Sequence, residues 1–234
     1  AFSGTSGTLT GASPGQTYDV FVRSICGPGD TSSWYGPIIV QTLCAPVLPF
    51  LENFDGTAWS DGTGVYNTGD GLAPCWFRDP EGCTSSADPY SWNIRSAAPT
   101  TYGSPSQDVS GSGNFAYTES SSGLPGQVAY LRMPPVDVSS LTTPALTFSY
   151  HAFGNSMGSL SFEVWNPSNG WGTPTLVFSG AQQTAANAAW KDTTFTLAVT
   201  SDTLMVRFKA IRVSANLSDL AIDEVGIIEA PTCP

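Results

Sequence analysis

Histidine is almost absent from this sequence: His151 is the single one among 234 residues. A Ser/His/Asp relay, a Cys/His pair or a zinc site with two histidines would have to draw on that side chain or go without. His151 lies in the strand-like run ALTFSYHAF, and neither a nucleophile elbow nor an H-E-x-x-H or H-x-x-E-H spacing surrounds it. The reading is a structural or solvent-facing histidine in a chain that is not an enzyme. Positive charge is scarce as well. Eight Lys and Arg against nineteen Asp and Glu leave a net charge of −11. No basic stripe is available to neutralise phosphates or anionic head groups, which argues against nucleic acid as a partner. No apolar run reaches the ~18 residues of a membrane-spanning helix, so no membrane insertion is expected. Residues 1 to 20 lack the basic-then-apolar layout of a signal peptide. The expectation is a soluble chain, already processed or excerpted.

Helical periodicity is missing too. No segment of a dozen residues repeats apolar positions at three and four, whereas 24 Gly, 18 Pro and abundant Ser and Thr punctuate short runs of Val, Ile, Phe, Tyr and Thr. This is an all-β chain. With 41% apolar and 12% charged side chains it holds enough for a packed core, as one large or two small domains. Within residues 1 to 43, Tyr18, Val20 and Val22 alternate with Asp19, Phe21 and Arg23. Beyond the loop GPGDTSSWYGP, Ile38 and Val40 alternate with Ile39 and Gln41, which predicts a hairpin. Two strands expose too much apolar surface to stand alone. Cys44-Ala45-Pro46 through Pro49 reads as a short linker stiffened by proline, and a second domain then starts at Phe50. From there to Ile228, strand candidates fall near 50–54, 92–95, 114–118, 127–132, 145–153, 159–165, 174–178, 192–199, 203–211 and 219–228. Ten or so short strands suit a two-sheet sandwich.

The segment LTGASPGQTYDVFVRSICGPGDTSSWYGPIIVQT, with its Pro14-Gly15 turn, Tyr18, Arg23, Ser33-Trp34 and final Thr42, resembles the second half of a bacterial fibronectin type III domain. The resemblance implies an Ig-like partial domain over 1–43, with Tyr18 as its corner tyrosine. Along the larger domain the order is LENFD at 51–55, PCWFRD at 74–79, DPYSWNI at 88–94, QDVSGSGNFAY at 107–117 and QVAYLRMPPVDV at 127–138. ALTFSYHAFGNSMGSLSFEV at 145–164, Trp190 and LAIDEVGI at 220–227 complete it. Residues 50–230 thereby resemble a MAM-like or cleaved-adhesin-like jelly roll, most tellingly at Gly158 to Phe162 and at Ile222 to Val225. The family's usual Asp-His-Thr reads Asp108-Val109-Ser110 here. Residues 231–234 begin a further linker, since E-A-P-T-C-P echoes T-L-C-A-P at 42–46, and the chain is expected to be a slice of a longer array of β-domains.

Cys26, Cys44, Cys75, Cys83 and Cys233 include no C-x-x-C pair, so disulfides are expected rather than a zinc ribbon or a redox motif. They imply a secreted or cell-surface, extracellular protein. Cys75 and Cys83 close the small loop CWFRDPEGC and are the first-choice bridge. Cys44 and Cys233, just outside the first and last strands of a jelly roll, could clasp its ends. The alternative, Cys44 with Cys75, is what the MAM resemblance implies, and it leaves Cys83 for Cys233 or free.

A jelly roll also sets its first strand beside its last. That would bring Glu52 or Asp55 near Asp223, with the loop around Asp108 overhead. Hard oxygens from three separated segments suit Ca2+, and a cation there would offset the repulsion between buried Glu52 and Asp223. Asp61 and Asp70 in SDGTGVYNTGDG are a second candidate. Glu163, Asp192, Asp219 and Glu224 offer carboxylates with no spacing that selects a glycosidase pair, and Glu163 in the alternating SLSFEVW reads as an outward, solvated acid. Trp76, Trp92 and Trp190 fall at MAM-like core positions and Trp34 in the hairpin. Trp165 and Trp171, in or beside the loop of VWNPSNGWGTP, are the ligand-binding candidates, together with Tyr66 and Tyr102 in Gly/Thr-rich loops, because flat rings cover pyranose faces well. The functional reading is a noncatalytic, calcium-stabilised adhesion or binding module of a larger secreted or cell-surface protein, with an extracellular glycan or protein ligand and flanking domains as partners. The alternatives are a carbohydrate-binding module appended to a polysaccharide-degrading enzyme, a structural spacer without ligand, and an enzyme in its own right.

Overall fold

Period-two alternation of apolar and polar side chains governs the long strands. The computed structural model describes residues 11, 12, 15–42, 44, 46, 48–62, 70–81, 87–96, 103, 105–214 and 219–231, and among them there is no helix. The chain divides into two units, Ala1–Ala45 and Pro46–Pro234. The smaller contains β1 (Thr17–Val22), β2 (Ile25–Gly27), β3 (Asp30–Thr31) and β4 (Tyr35–Gln41). Strands β1 and β4 pair antiparallel from Thr17↔Gln41 to Val22↔Tyr35, with a bulge between Val20 and Val22, and β2 pairs with β3. A two-stranded ribbon has no second layer to cover it, and Phe21, Ile25, Trp34, Tyr35 and Ile39 are all exposed.

The larger unit continues with β5 (Phe50–Glu52), β6 (Phe77–Asp79), β7 (Trp92–Arg95), β8 (Phe115–Thr118), β9 (Val128–Arg132), β10 (Val136–Asp137) and β11 (Pro144–Ala152). It ends with β12 (Ser159–Asn166), β13 (Gly170–Trp171), β14 (Thr175–Ser179), β15 (Lys191–Thr196), β16 (Thr203–Leu204), β17 (Val206–Ile211) and β18 (Leu220–Glu229). Two six-stranded antiparallel sheets result. One runs β15-β11-β18-β8-β7, with β5 also on β18; the other runs β13-β12-β17-β9-β6, with β14 also on β12. The first and last strands of this unit do lie side by side: Glu52 is opposite Val225 and Phe50 opposite Ile227.

The sheets meet through their apolar faces. Leu146 and Phe148 of β11 and Ile222, Val225 and Ile227 of β18 face Leu160 and Phe162 of β12 and Val206 and Phe208 of β17, all buried. The Phe148 and Phe208 rings touch edge to face at 5.1 Å across the layer. Each fully buried ring or branched side chain contributes about 1.5–3 kcal/mol relative to exposure. Phe54, Trp59 and Trp76, with ring centroids 4.8–5.6 Å apart, close one end. Gly158, at the head of β12, is required where it stands: a Cβ there would collide with the Ile211 carbonyl oxygen of the paired strand.

Five strands escaped the sequence reading, namely β2, β3, β6, β10 and β13, because two or three residues are too few to display a period. The cysteine expectation needs correction. Cys44 and Cys75 are disulfide-bonded to each other, so Cys75 is not bridged to Cys83, nor Cys44 to Cys233. The turn in which the Trp76 amide donates to the Ala73 carbonyl and the packing of Trp76 on Phe50 at 6.5 Å hold residue 75 beside the strand that Cys44 shortly precedes. Cys26 is free and exposed; Cys83 and Cys233 lie outside the described residues. No helix among the described residues is long and apolar enough to cross a membrane.

Candidate functional site

The sheet centred on β18 turns polar groups outward. Its inward residues alternate with Ser149 and His151 on β11, Ala221 and Asp223 on β18, Phe115 and Tyr117 on β8, and Asp192 on β15, which the register sets in neighbouring rows. A register shift near Glu224, whose φ is 50°, re-aims β18 at this point. Asp223 is buried; its Oδ2 accepts from the Val109 amide at 3.1 Å and its Oδ1 from the Glu224 amide at 2.8 Å. Burial, aided by the charges of Glu224 and Asp108, pushes the Asp223 carboxyl up to about 7. Asp108, also buried, takes a 2.7 Å bond from the Ser110 hydroxyl on Oδ2, while its Oδ1 has no hydrogen-bond partner.

Asp55 arrives from the other side. Its Oδ1 accepts from the Asn114 amide at 2.6 Å and its Oδ2 from the Asn53 side chain at 2.9 Å. Asp55 and Asp108 crowd Gly113, where a Cβ would run into the Asp55 carboxylate and stand 2.6 Å from Asp108 Oδ2. The structure therefore brings Asp55, Asp108 and Asp223 into one neighbourhood. Glu52 turns instead onto the Phe54 amide, at 2.9 Å; burial raises its carboxyl, opposed by that amide and by Trp59. Among the described residues no three His, Cys, Asp or Glu side chains form a ready-made ion cage, so an ion here would also draw on main-chain oxygens.

The second metal candidate does not survive: Asp70 is salt-bridged to Arg78 at 2.7 Å and also accepts from the Ile94 amide, while Asp61 accepts from the amide and hydroxyl of Ser96. His151 is fully buried against Trp190 at 5.6 Å, and burial lowers its imidazole to about 4. Asp192 accepts from the Ser149 hydroxyl at 2.6 Å, and Asp219 from the Ser120 amide and hydroxyl.

The sheet centred on β17 presents the opposite chemistry. Alternation sends Arg207 and Lys209 of β17, Tyr130 and Arg132 of β9, Phe77 of β6 and Glu163 and Trp165 of β12 outward. Glu163 is not the solvated acid expected from sequence: it is buried and receives both Nε and Nη2 of Arg207, at 2.6 and 2.5 Å, with Lys209 at 3.7 Å. The Arg207 guanidinium lies between two rings, 4.0 Å from Tyr130 and 4.3 Å from Trp171, and Arg132 lies 4.1 Å from the Phe77 ring. Phe77, Arg78, Asp79, Tyr130, Arg132, Trp171 and Arg207 enclose a shallow depression of about 190 Å³.

Trp165 and Trp171 are both strand residues beside the expected loop, Trp165 within the expected strand and Trp171 in the two-residue β13. They sit opposite each other across the β12–β13 ribbon with rings edge to face at 5.3 Å, because the Asn166 side chain caps the turn at Ser168 and Gly170 takes a φ of 78°. Tyr66 and Tyr102 lie outside the described residues. Sequence reasoning missed Phe77, Tyr130, Arg132 and Arg207. The alternations V-R-F-K-A-I and V-A-Y-L-R place their members on one face, yet nothing local says that β9 and β17 are neighbours.

A family model described as MAM domain, meprin/A5/mu matches residues 75–234. No curated protein matches the chain. Among solved structures, the K1 cleaved adhesin domain of Lys-gingipain from Porphyromonas gingivalis W83 is 18% identical, with a TM-score of 0.47 over 79% of this chain and 100% of that one. TmCBM61 in complex with β-1,4-galactotriose is 11% identical, with a TM-score of 0.42 over 66% of this chain and 88% of the other. A Stig cyclase from Fischerella sp. TAU is 17% identical, with a TM-score of 0.44 over 66% and 84%. Neither ligand nor chemistry follows from these likenesses.

Proposed function

The chain belongs to the MAM domain family, and on that footing we propose a noncatalytic extracellular binding module, stabilised by Ca2+, that meets a glycan on the outer face of the β17 sheet. One observation carries the reading: half-buried Trp171 and Tyr130 and exposed Phe77 border one depression together with the guanidinium groups of Arg132 and Arg207. Sugars offer apolar C–H faces and a fringe of hydroxyls, which suits rings set beside fixed hydrogen-bond donors. The Cys44–Cys75 disulfide is in keeping with an oxidising compartment. The smaller unit is read as part of a fibronectin type III-like spacer between neighbouring domains of one polypeptide.

For calcium, the donor set fits. A buried, unpartnered Asp108 Oδ1 and an Asp223 carboxyl destabilised by burial and neighbouring charge are groups that a hard cation satisfies. Asp55, Asp108 and Asp223 would hold the ion. It would supply charge neutralisation and tie the segment after β5, the loop before β8 and β18 together.

The ligand face is tested on a glycan array followed by affinity electrophoresis. Retention by a polysaccharide, reduced at least about tenfold in Trp171→Ala, is expected. A chain that is retained by no glycan, or a Trp171→Ala variant that is retained as well as the parent, ends the reading.

A further inference from the structure

Among the described residues Arg132 has no ion-pair partner. Resting on the ligand-face reading above, we infer that the β17-sheet depression selects an acidic sugar, a uronate unit of a glycan chain, and that Arg132 is the residue that binds its carboxylate. The register makes the case. Arg132 of β9 lies directly opposite Arg207 of β17, and like charges facing each other across an antiparallel pair are destabilising unless something neutralises them.

Glu163 neutralises Arg207, through both Nε and Nη2, and it also takes Lys209. Nothing equivalent serves Arg132: among the described residues no carboxylate lies within ion-pair distance of it, and its guanidinium rests 4.1 Å from the Phe77 ring. Asp79 lines the depression without reaching it. A chain of net charge −11 with only eight Lys and Arg has thus placed Arg132, Arg207 and Lys209 on one outer face and left one of them open.

An Arg fork matches a carboxylate in two parallel hydrogen bonds, and Arg207 Nη1, which Glu163 does not use, adds a donor beside it. The depression, at about 190 Å³, is smaller than the ~300–1,000 Å³ of ordinary small-molecule sites. That suits a single ring of a longer chain, with Trp171 and Tyr130 bordering the sugar. An extended acidic peptide would instead use a sheet edge and alternate side-chain pockets.

The test measures binding of the full chain by calorimetry to tetragalacturonate, to neutral galactotetraose of the same length, to a sulfated galactan and to oligoglutamate. The uronate should bind at least roughly tenfold more tightly than the neutral sugar, with an affinity that falls as salt rises. Arg132→Gln should remove that preference, and Arg132→Lys should restore it only in part because a point charge lacks the fork. Arg132 is half-buried at the surface, so both variants should keep the parent melting profile. Equal binding of neutral and acidic sugars, unchanged in Arg132→Gln but lost in Trp171→Ala, overturns the acidic-sugar assignment and leaves the glycan face standing. Preference for the sulfated galactan or for oligoglutamate over the uronate overturns it too. Absence of binding to every glycan overturns both.

Discussion

The two sheets of the sandwich share a core and differ in what they turn away from it. The β18 sheet faces outward with Asp223, Ser149, His151 and Asp192, and much of that face is buried under the loops around Asp108 and Trp190. The β17 sheet faces outward with Arg132, Arg207, Lys209 and rings, and its depression is open. Both faces carry charge that the apolar core cannot use. The first crowds Asp223, Asp108 and Glu224, the setting for the proposed cation. The second sets one carboxylate, Glu163, against Arg207 and Lys209, and among the described residues leaves Arg132 without an ion pair. Segregation of this kind is how a strongly acidic chain can hold a locally cationic surface.

Removing Glu163 should disturb the molecule most. Glu163→Ala removes the carboxylate that pairs with Arg207 and Lys209, next to Arg132 on the neighbouring strand, and breaking a buried pair from one side costs about 3–5 kcal/mol. Urea unfolding should show that loss. A loss below about 1 kcal/mol would mean that the pair is effectively solvated.

On the opposite face, His151 should make stability acid-sensitive. Its imidazole is held near 4 against an ordinary 6.5, so the stabilisation is complete above about 6.5 and is lost as pH falls towards 4, where the unfolded chain takes up the proton first. The slope is about 1.4 kcal/mol per pH unit and the total about 3 kcal/mol. His151→Gln should flatten this component of the unfolding free energy between pH 6.5 and 4; identical pH profiles for the two proteins would refute the assignment.

Smallest, and the sharpest test of the proposed cation, is chelation. At a free calcium concentration about 100 times Kd the ion adds roughly 2.7 kcal/mol, several degrees in Tm for a domain of this size. Excess chelator should remove it. Asp223→Asn should lose the calcium response and, in chelator, melt no lower than the parent, because it deletes a buried carboxylate that lies close to Asp108 and Glu224. A parent melt indifferent to calcium and chelator would remove the ion from the account.

Which side chains point the same way was largely legible from local order. Leu160, Phe162 and Val164 against Ser161, Glu163 and Trp165 is a reading that needs only the pleat. The meeting of LENFD with LAIDEVGI followed from the family resemblance, and the pairing of Glu52 with Val225 realises it. Partner identity was the illegible part. Glu163 read as solvated because its own strand could not announce Arg207, which becomes its neighbour only when β17 returns alongside β12. Trp171 read only as lying in or beside a loop because a two-residue strand has no period of its own.

Composition, alternation and turn residues were enough to decide that this chain is all-β, that it packs as a sandwich, and which face of each long strand is buried, since these depend on the pleat and on the cost of exposing apolar surface. The choice of Cys44 as the partner of Cys75, the open guanidinium of Arg132 and the gathering of Asp55, Asp108 and Asp223 were settled by the order in which strands lie in the sheets. That order depends on pairings between segments far apart in the chain, and no short-range pattern encodes it.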